Sequence, residues 1–342
     1  MIFSSTFSSD STKLQSMEVS PAMPLPSDER VVDLANKLLA QFDQLFGLHS
    51  GFRAAHAKGV LLDGTFTPAA EAPGLTRAPH ATRPSTPVTV RFSNSTGIPQ
   101  IPDNTPEANP RGLAIRFNLD EHVHTDIISH STDGFPARDG YEFLEFLKAV
   151  AASGPEIPSP KPVEIFLGSH PAALAFVQAP KPFPSSLGRE SYFGVTAFAF
   201  TNAEGLKRFG RYRIIPEAGN DYLLDDSVAK LPVDYHFEEI MDRLKNDAVR
   251  FKILVQLAAE GDATDDATKH WPESRELFSL GTIELTAPVP NNLAQQKHII
   301  FDPIPRVDGI EPSADPLLEL RAAIYLLSGR RRRAATLEDP AH

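Results

Sequence analysis

Two stretches decide the fold: Thr86-Pro-Val-Thr-Val-Arg-Phe-Ser93 and Gly112-Leu-Ala-Ile-Arg-Phe-Asn-Leu119. In the first, Val88, Val90 and Phe92 alternate with Thr89, Arg91 and Ser93; in the second, Leu113, Ile115 and Phe117 alternate likewise. A period of two sends successive side chains to opposite faces, so each stretch reads as a β-strand with one apolar face. The residues between them are rich in Pro, Asn and Gly and read as loop. Working outward, the strand pattern begins near Gly59 and returns at Ile127–Ile128, 192–200, 211–215, 251–257, 281–286 and 298–301.

Helical spacing frames these strands. Ser27 precedes Asp28 and Glu29 as a helix start, and Val31, Leu34, Ala35, Leu38, Phe42 and Leu45 follow at helical intervals as far as Gly47. Further helices are predicted at 141–152, near 163–167, at 171–178 and near 235–246, with prolines at 155, 158, 160 and 162 separating the first two. In the last helix Asp315 is a cap, Pro316 suits the first turn, and Leu317, Leu320, Ile324 and Leu327 form a stripe that Gly329 is expected to end. Strands at irregular spacing with inserted helices predict an α+β chain: an antiparallel barrel or curved sheet with helical additions.

Composition narrows the function. The chain has 342 residues, 41% hydrophobic and 23% charged, which is globular rather than disordered. Its net charge of −11 sets it against nucleic acid and anionic membranes, apart from the run Arg330–Arg333. The absence of cysteine excludes disulfides, thiolate ligands and cysteine nucleophiles. Residues 1–26, rich in Ser, Thr and Pro, read as a disordered tail without a signal-peptide pattern, and no run reaches the roughly 20 apolar residues of a membrane span. A cytoplasmic domain over 27–333, with a second tail at 334–342, is the expectation.

No GxGxxG, P-loop or HExxH is present, and His122-Val-His124 reads as a solvent-facing strand end rather than a metal site. Two local features carry chemistry. Arg321 and Tyr325 lie four residues apart and share a helix face. A guanidinium held against a phenol favours the phenolate. His56 stands in Arg53-Ala-Ala-His56-Ala-Lys-Gly59, just before a strand. Taken singly, either is more often ordinary packing.

Together with their surroundings these segments resemble the catalases. Arg53 to Gly59 followed by Gly64-Thr-Phe66, then Val90-Arg-Phe-Ser93, Pro110-Arg-Gly-Leu-Ala-Ile-Arg-Phe117, Trp271-Pro272, Phe301-Asp-Pro303, Gly309-Ile-Glu-Pro-Ser313 and Arg321-Ala-Ala-Ile-Tyr325 run in the order of that superfamily. The short catalase-related peroxidases are the nearest type. The resemblance implies an eight-stranded antiparallel β-barrel of catalase type with helices outside it, and a haem b between barrel and last helix. Tyr325 would be the axial iron ligand and Arg321 its stabiliser. His56 would be the distal general base, with Ser93 fixing its tautomer. Arg53, Arg91 and Arg332 would meet the haem propionates, and Phe143 would pack on the distal face. The other arginines of 330–333 would belong to a frayed tail.

One departure bears on activity. Catalases carry a distal asparagine in an Asn-Asn-Thr-Pro-like segment, where this chain has Ser129-His130-Ser131-Thr132. His130 would take that place, or point away from the haem; it is bulkier than an amide and expected to charge near neutral pH. The implied activity is therefore a peroxidase that reduces hydrogen peroxide or small organic peroxides with an external small-molecule electron donor, with weak catalase activity. Two alternatives stand beside it: a haem protein without turnover, and conversion of lipid hydroperoxides as in allene oxide synthases. The latter carry threonine just before the distal histidine, where this chain has Ala55. Neither nucleic acid nor membrane is an expected partner, and a homo-oligomer is compatible.

Overall fold

The computed structural model describes residues 24–335. The tails expected at 1–26 and 334–342 lie almost entirely outside the described residues.

Eight antiparallel strands close into a barrel: β1 (Gly59–Pro68), β2 (Thr86–Ser93), β3 (Gly112–Asp120), β4 (Val123–His130), β5 (Tyr192–Phe193), β6 (Lys207–Pro216), β7 (Val249–Leu257) and β8 (Leu277–Pro288). Each pairs with its neighbour in sequence, and β8 pairs back onto β1 between Leu62↔Pro288 and Pro68↔Gly281. Closure leaves these strands no free edge. Short strands Phe198–Thr201 and Ile310–Pro312 extend the sheet beside β6.

The alternation read in the two deciding stretches sorts side chains between the inside and outside of this barrel. Val88, Val90, Phe92, Leu113, Ile115 and Phe117 join Phe66, Tyr192, Phe251 and Ile283 in the interior, which is a packed apolar core. The opposite parity faces outward. Arg91 pairs with Ala114, Ser93 with Gly112, and Gly112 with His130. The outer wall of β2, β3 and β4 thus carries a row of site residues in register.

Helices α1 (Glu29–Phe46), α2 (Gly140–Ala151), α3 (Pro162–Ser169), α4 (Pro171–Gln178), α5 (Tyr235–Arg243), α6 (Asn292–His298) and α7 (Leu317–Ala334) pack outside. Leu34, Ala35 and Leu38 of α1, Leu144 and Leu147 of α2, and Leu320 and Ala323 of α7 form a second core. Arg331 grips Asp43 through both carboxylate oxygens, at 2.6 and 2.9 Å, and so fixes α7 to α1. Among the described residues no helix is long and apolar enough to cross a membrane.

Five expectations need correction. The cap of α1 is Asp28, whose Oδ1 accepts from Arg30 N–H at 2.9 Å, and Ser27 plays no such part. The stretch 192–200 is not one strand, because residues 194–197 leave the sheet between β5 and Phe198–Thr201. Residues 298–301 form no strand: α6 ends at His298 and the apolar Ile299 and Ile300 line a cavity instead. Gly329 does not stop α7, which runs on to Ala334. Its missing side chain serves packing, since a Cβ there would fall 2.3 Å from Ile300 Cδ1. The basic run is therefore helical rather than frayed: Arg332 is buried and Arg333 donates to the His298 carbonyl.

Candidate active site

Between the outer wall of β2–β4 and helices α1, α2 and α7 lies a cavity of about 380 Å³. Every residue singled out from the sequence lines it: Arg53, His56, Arg91, Ser93, His130, Phe143, Arg321, Tyr325 and Arg332.

On one side, α7 presents Arg321, Tyr325 and Arg332 from a single face, as spacings of four and seven require. The Arg321 Nη2 donates to the Tyr325 hydroxyl oxygen at 3.4 Å, and the guanidinium carbon lies 5.8 Å from the ring centroid.

Across the cavity stands His56. Its backbone has φ of 57°, a left-handed conformation that non-glycine residues rarely hold. Hydrogen bonds fix it there. His56 N–H donates to the Ser95 carbonyl at 3.1 Å, Ala57 N–H to that of Thr96 at 2.9 Å, and Arg91 Nη2 to the carbonyls of His56 and Ala57 at 2.9 and 3.1 Å. The Nδ1 lies 3.0 Å from Ser93 Oγ. Desolvation, then the charges of Arg91, Arg53 and Arg321, push the His56 pKa down to about 4. The ring is neutral at pH 7, with its Nε2 lone pair free when Nδ1–H donates to Ser93.

His130 ends β4 and accepts a long hydrogen bond at Nδ1 from Thr132 N–H, at 3.4 Å. Desolvation, then His56, Arg321 and Lys181, lower its pKa to about 3. The expected charge near neutral pH is thus corrected: burial of the ring, then three cationic or titratable neighbours, hold it neutral.

The cationic end of the cavity depends on main-chain atoms. Arg53 donates to the carbonyls of Gln296 and Ile299 at 3.1 and 3.0 Å, and Arg332 to those of Lys297 and Ile299 at 2.9 and 2.7 Å. Arg91 Nε donates to Gln296 Oε1 at 2.9 Å. Among the described residues none of the three forms an ion pair with a carboxylate. Burial, then mutual repulsion, takes Arg91 down to about 9, and Arg53 is lowered for the same reasons. Three such guanidiniums suit an anionic ligand with more than one carboxylate. The remaining walls are aromatic: Phe143 lies 5.1 Å from Phe135 and 6.3 Å from Phe42, centroid to centroid. An apolar slot with one phenol oxygen, two imidazoles and a polyarginine end fits a flat, carboxylated macrocycle. No group of three His, Cys, Asp or Glu side chains able to hold a bare metal ion occurs among the described residues. His122 is exposed and His124 bonds Asp126 at 3.1 Å, in keeping with a strand end.

Sequence reasoning missed Gly112, Gln296 and the Gln296–Ile299 carbonyls. A Cβ on Gly112 would lie 2.5 Å from Ser93 Oγ and 2.8 Å from His56 Nδ1. The only signal was the glycine in Pro110-Arg-Gly112; carbonyl acceptors leave none.

The catalase family model matches residues 50–339. A catalase-related peroxidase of Mycolicibacterium paratuberculosis is 33% identical over 84% of this chain and 90% of that protein. One of Synechococcus elongatus is 32% identical over 87% and 88%. Among solved structures, catalase A from Saccharomyces cerevisiae superposes with a TM-score of 0.74 at 21% identity, over 93% of this chain and 68% of that one, a likeness of fold. Matched by that model and by relatives along most of both lengths, this chain belongs to the catalase family, which implies a haem cofactor.

Proposed function

We propose that the chain would hold haem b in this cavity through Tyr325, and reduces hydrogen peroxide or a small organic hydroperoxide with electrons from an external donor. The reading is carried by one observation: Arg321–Tyr325 and His56–Ser93 face each other across an apolar cavity that ends in three arginines which, among the described residues, pair with no carboxylate. Arg53, Arg91 and Arg332 would hold the propionates, and Phe143 would pack on the distal face. Bound haem supplies the redox centre. The protein's part is acid–base and positional. His56 Nε2 takes the proton of one peroxide oxygen and returns it to the other as the O–O bond breaks, and Ser93 keeps Nδ1 protonated throughout. In sum, ROOH gains two electrons from the donor and two protons, giving ROH and water. The bulk of His130 where an amide is expected supports weak disproportionation.

The test is peroxide consumption by haem-loaded protein, followed with an oxygen electrode and a phenolic donor. Donor oxidation with little oxygen release is expected. Rapid oxygen evolution without donor, or a fatty-acid hydroperoxide consumed without donor, would overturn the assignment.

A further inference from the structure

We propose that His56 and His130 face the same cavity in opposite tautomers, His56 as proton acceptor and His130 as a fixed Nε2–H donor to the peroxide. The inference rests on the haem-peroxidase reading above and deepens it. The partners of the two Nδ1 atoms differ in kind. That of His56 meets a hydroxyl, Ser93 Oγ, able to accept. That of His130 meets a backbone N–H, from Thr132, which can only donate. A neutral imidazole accepting at Nδ1 carries its proton at Nε2. Nε2 is the far corner of the ring, and among the described residues it has no hydrogen-bond partner, while the residue lines the cavity.

Gly112 makes the pair possible. It lies in register with both Ser93 and His130, and a Cβ there would crowd Ser93 and the His56 ring. The charged and titratable groups facing His130 are His56, Arg321 and Lys181, and with desolvation all three oppose a second proton on the ring, which stays neutral; the Thr132 N–H sets which nitrogen holds the one it has. His130 thus offers what an amide offers, a donor that does not titrate, but on a larger ring. It donates a hydrogen bond and transfers no proton, so the base remains His56 alone.

Cyanide binding to haem-loaded protein, titrated by absorbance, tests this without turnover. His130→Leu should raise the Kd about tenfold through loss of one hydrogen bond, and His130→Asn should stay within about threefold of the parent. The Leu-to-parent ratio should be constant between about pH 5.5 and 8, since His130 stays neutral there. A Leu variant that binds as tightly as the parent, or a ratio that changes with pH, would overturn the inference. His130→Met replaces Leu should that variant lose haem. A parent that takes up no haem would instead sink the proposed function.

Discussion

His56 holds a left-handed backbone that four hydrogen bonds enforce, and strain of this kind, of order 1–3 kcal/mol, collects where a ring must be aimed. If the ring is the base, His56→Ala should slow the peroxide-induced absorbance change by at least about a hundredfold and leave the resting spectrum alone. An equal rate would show that another group moves the proton. His80 presents the opposite case. It is 1% exposed, lies 4.5 Å from Phe117 and 6.0 Å from Phe66, and neither ring nitrogen has a partner among the described residues. Replacing it by nearly isosteric leucine should stabilise the barrel by about 1–3 kcal/mol, read as a raised Tm; a lowered Tm would contradict this. At this scale the shared helix face of Arg321 and Tyr325 was legible from a spacing of four, and His56 only through the resemblance of the segment around it. The charge state of His130 was not, because it depends on burial and on neighbours from the segment before β1, from α7 and from the loop carrying Lys181.

At the scale of elements, α7 carries the site and its docking depends on a missing side chain. Gly329→Ala would ordinarily stabilise a helix by about 1 kcal/mol. Here the added Cβ meets Ile300 at 2.3 Å, so we expect a loss of about 1 kcal/mol or more by chemical denaturation. Ile300→Val, which lacks the nearest atom, should recover part of it. Stabilisation by Gly329→Ala alone would contradict the packing argument. Gly329 was misread as a stop because its packing partner lies 29 residues earlier in the chain. Residues 298–301 were misread for a related reason: their apolar side chains line a cavity and their carbonyls receive arginines, yet the composition looks like that of a buried strand. The deciding strands β2 and β3 were legible because each alternates cleanly, one parity apolar for the barrel and the other bearing the site.

At the scale of the whole molecule, barrel closure was not readable from periodicity, which says nothing about β8 pairing with β1; the order of motifs supplied it through the resemblance. Buried histidines also set how stability responds to acid. His80 is pushed down to about 4 by desolvation, and His236 to about 3 by desolvation and then by Arg111. Both would titrate near 6.5 when unfolded. The folded state therefore refuses protons that the unfolded state takes up. The contribution of these two histidines should be level above about pH 6.5 and fall as pH drops toward 4, by up to about 1.4 kcal/mol per pH unit for each, with Glu190, raised by burial to about 7, opposing them over part of that window. Denaturation midpoints at several pH values check this, and His80→Leu should flatten the slope; a midpoint that rises on acidification would refute it.

Haem titration of the purified chain, followed by absorbance beside Tyr325→Phe, bears most directly on the whole account. The parent should bind haem tightly with a phenolate-type spectrum, and the variant should lose that spectrum or the tight binding. Identical spectra and affinities for the two proteins would mean that the iron is held by some other group.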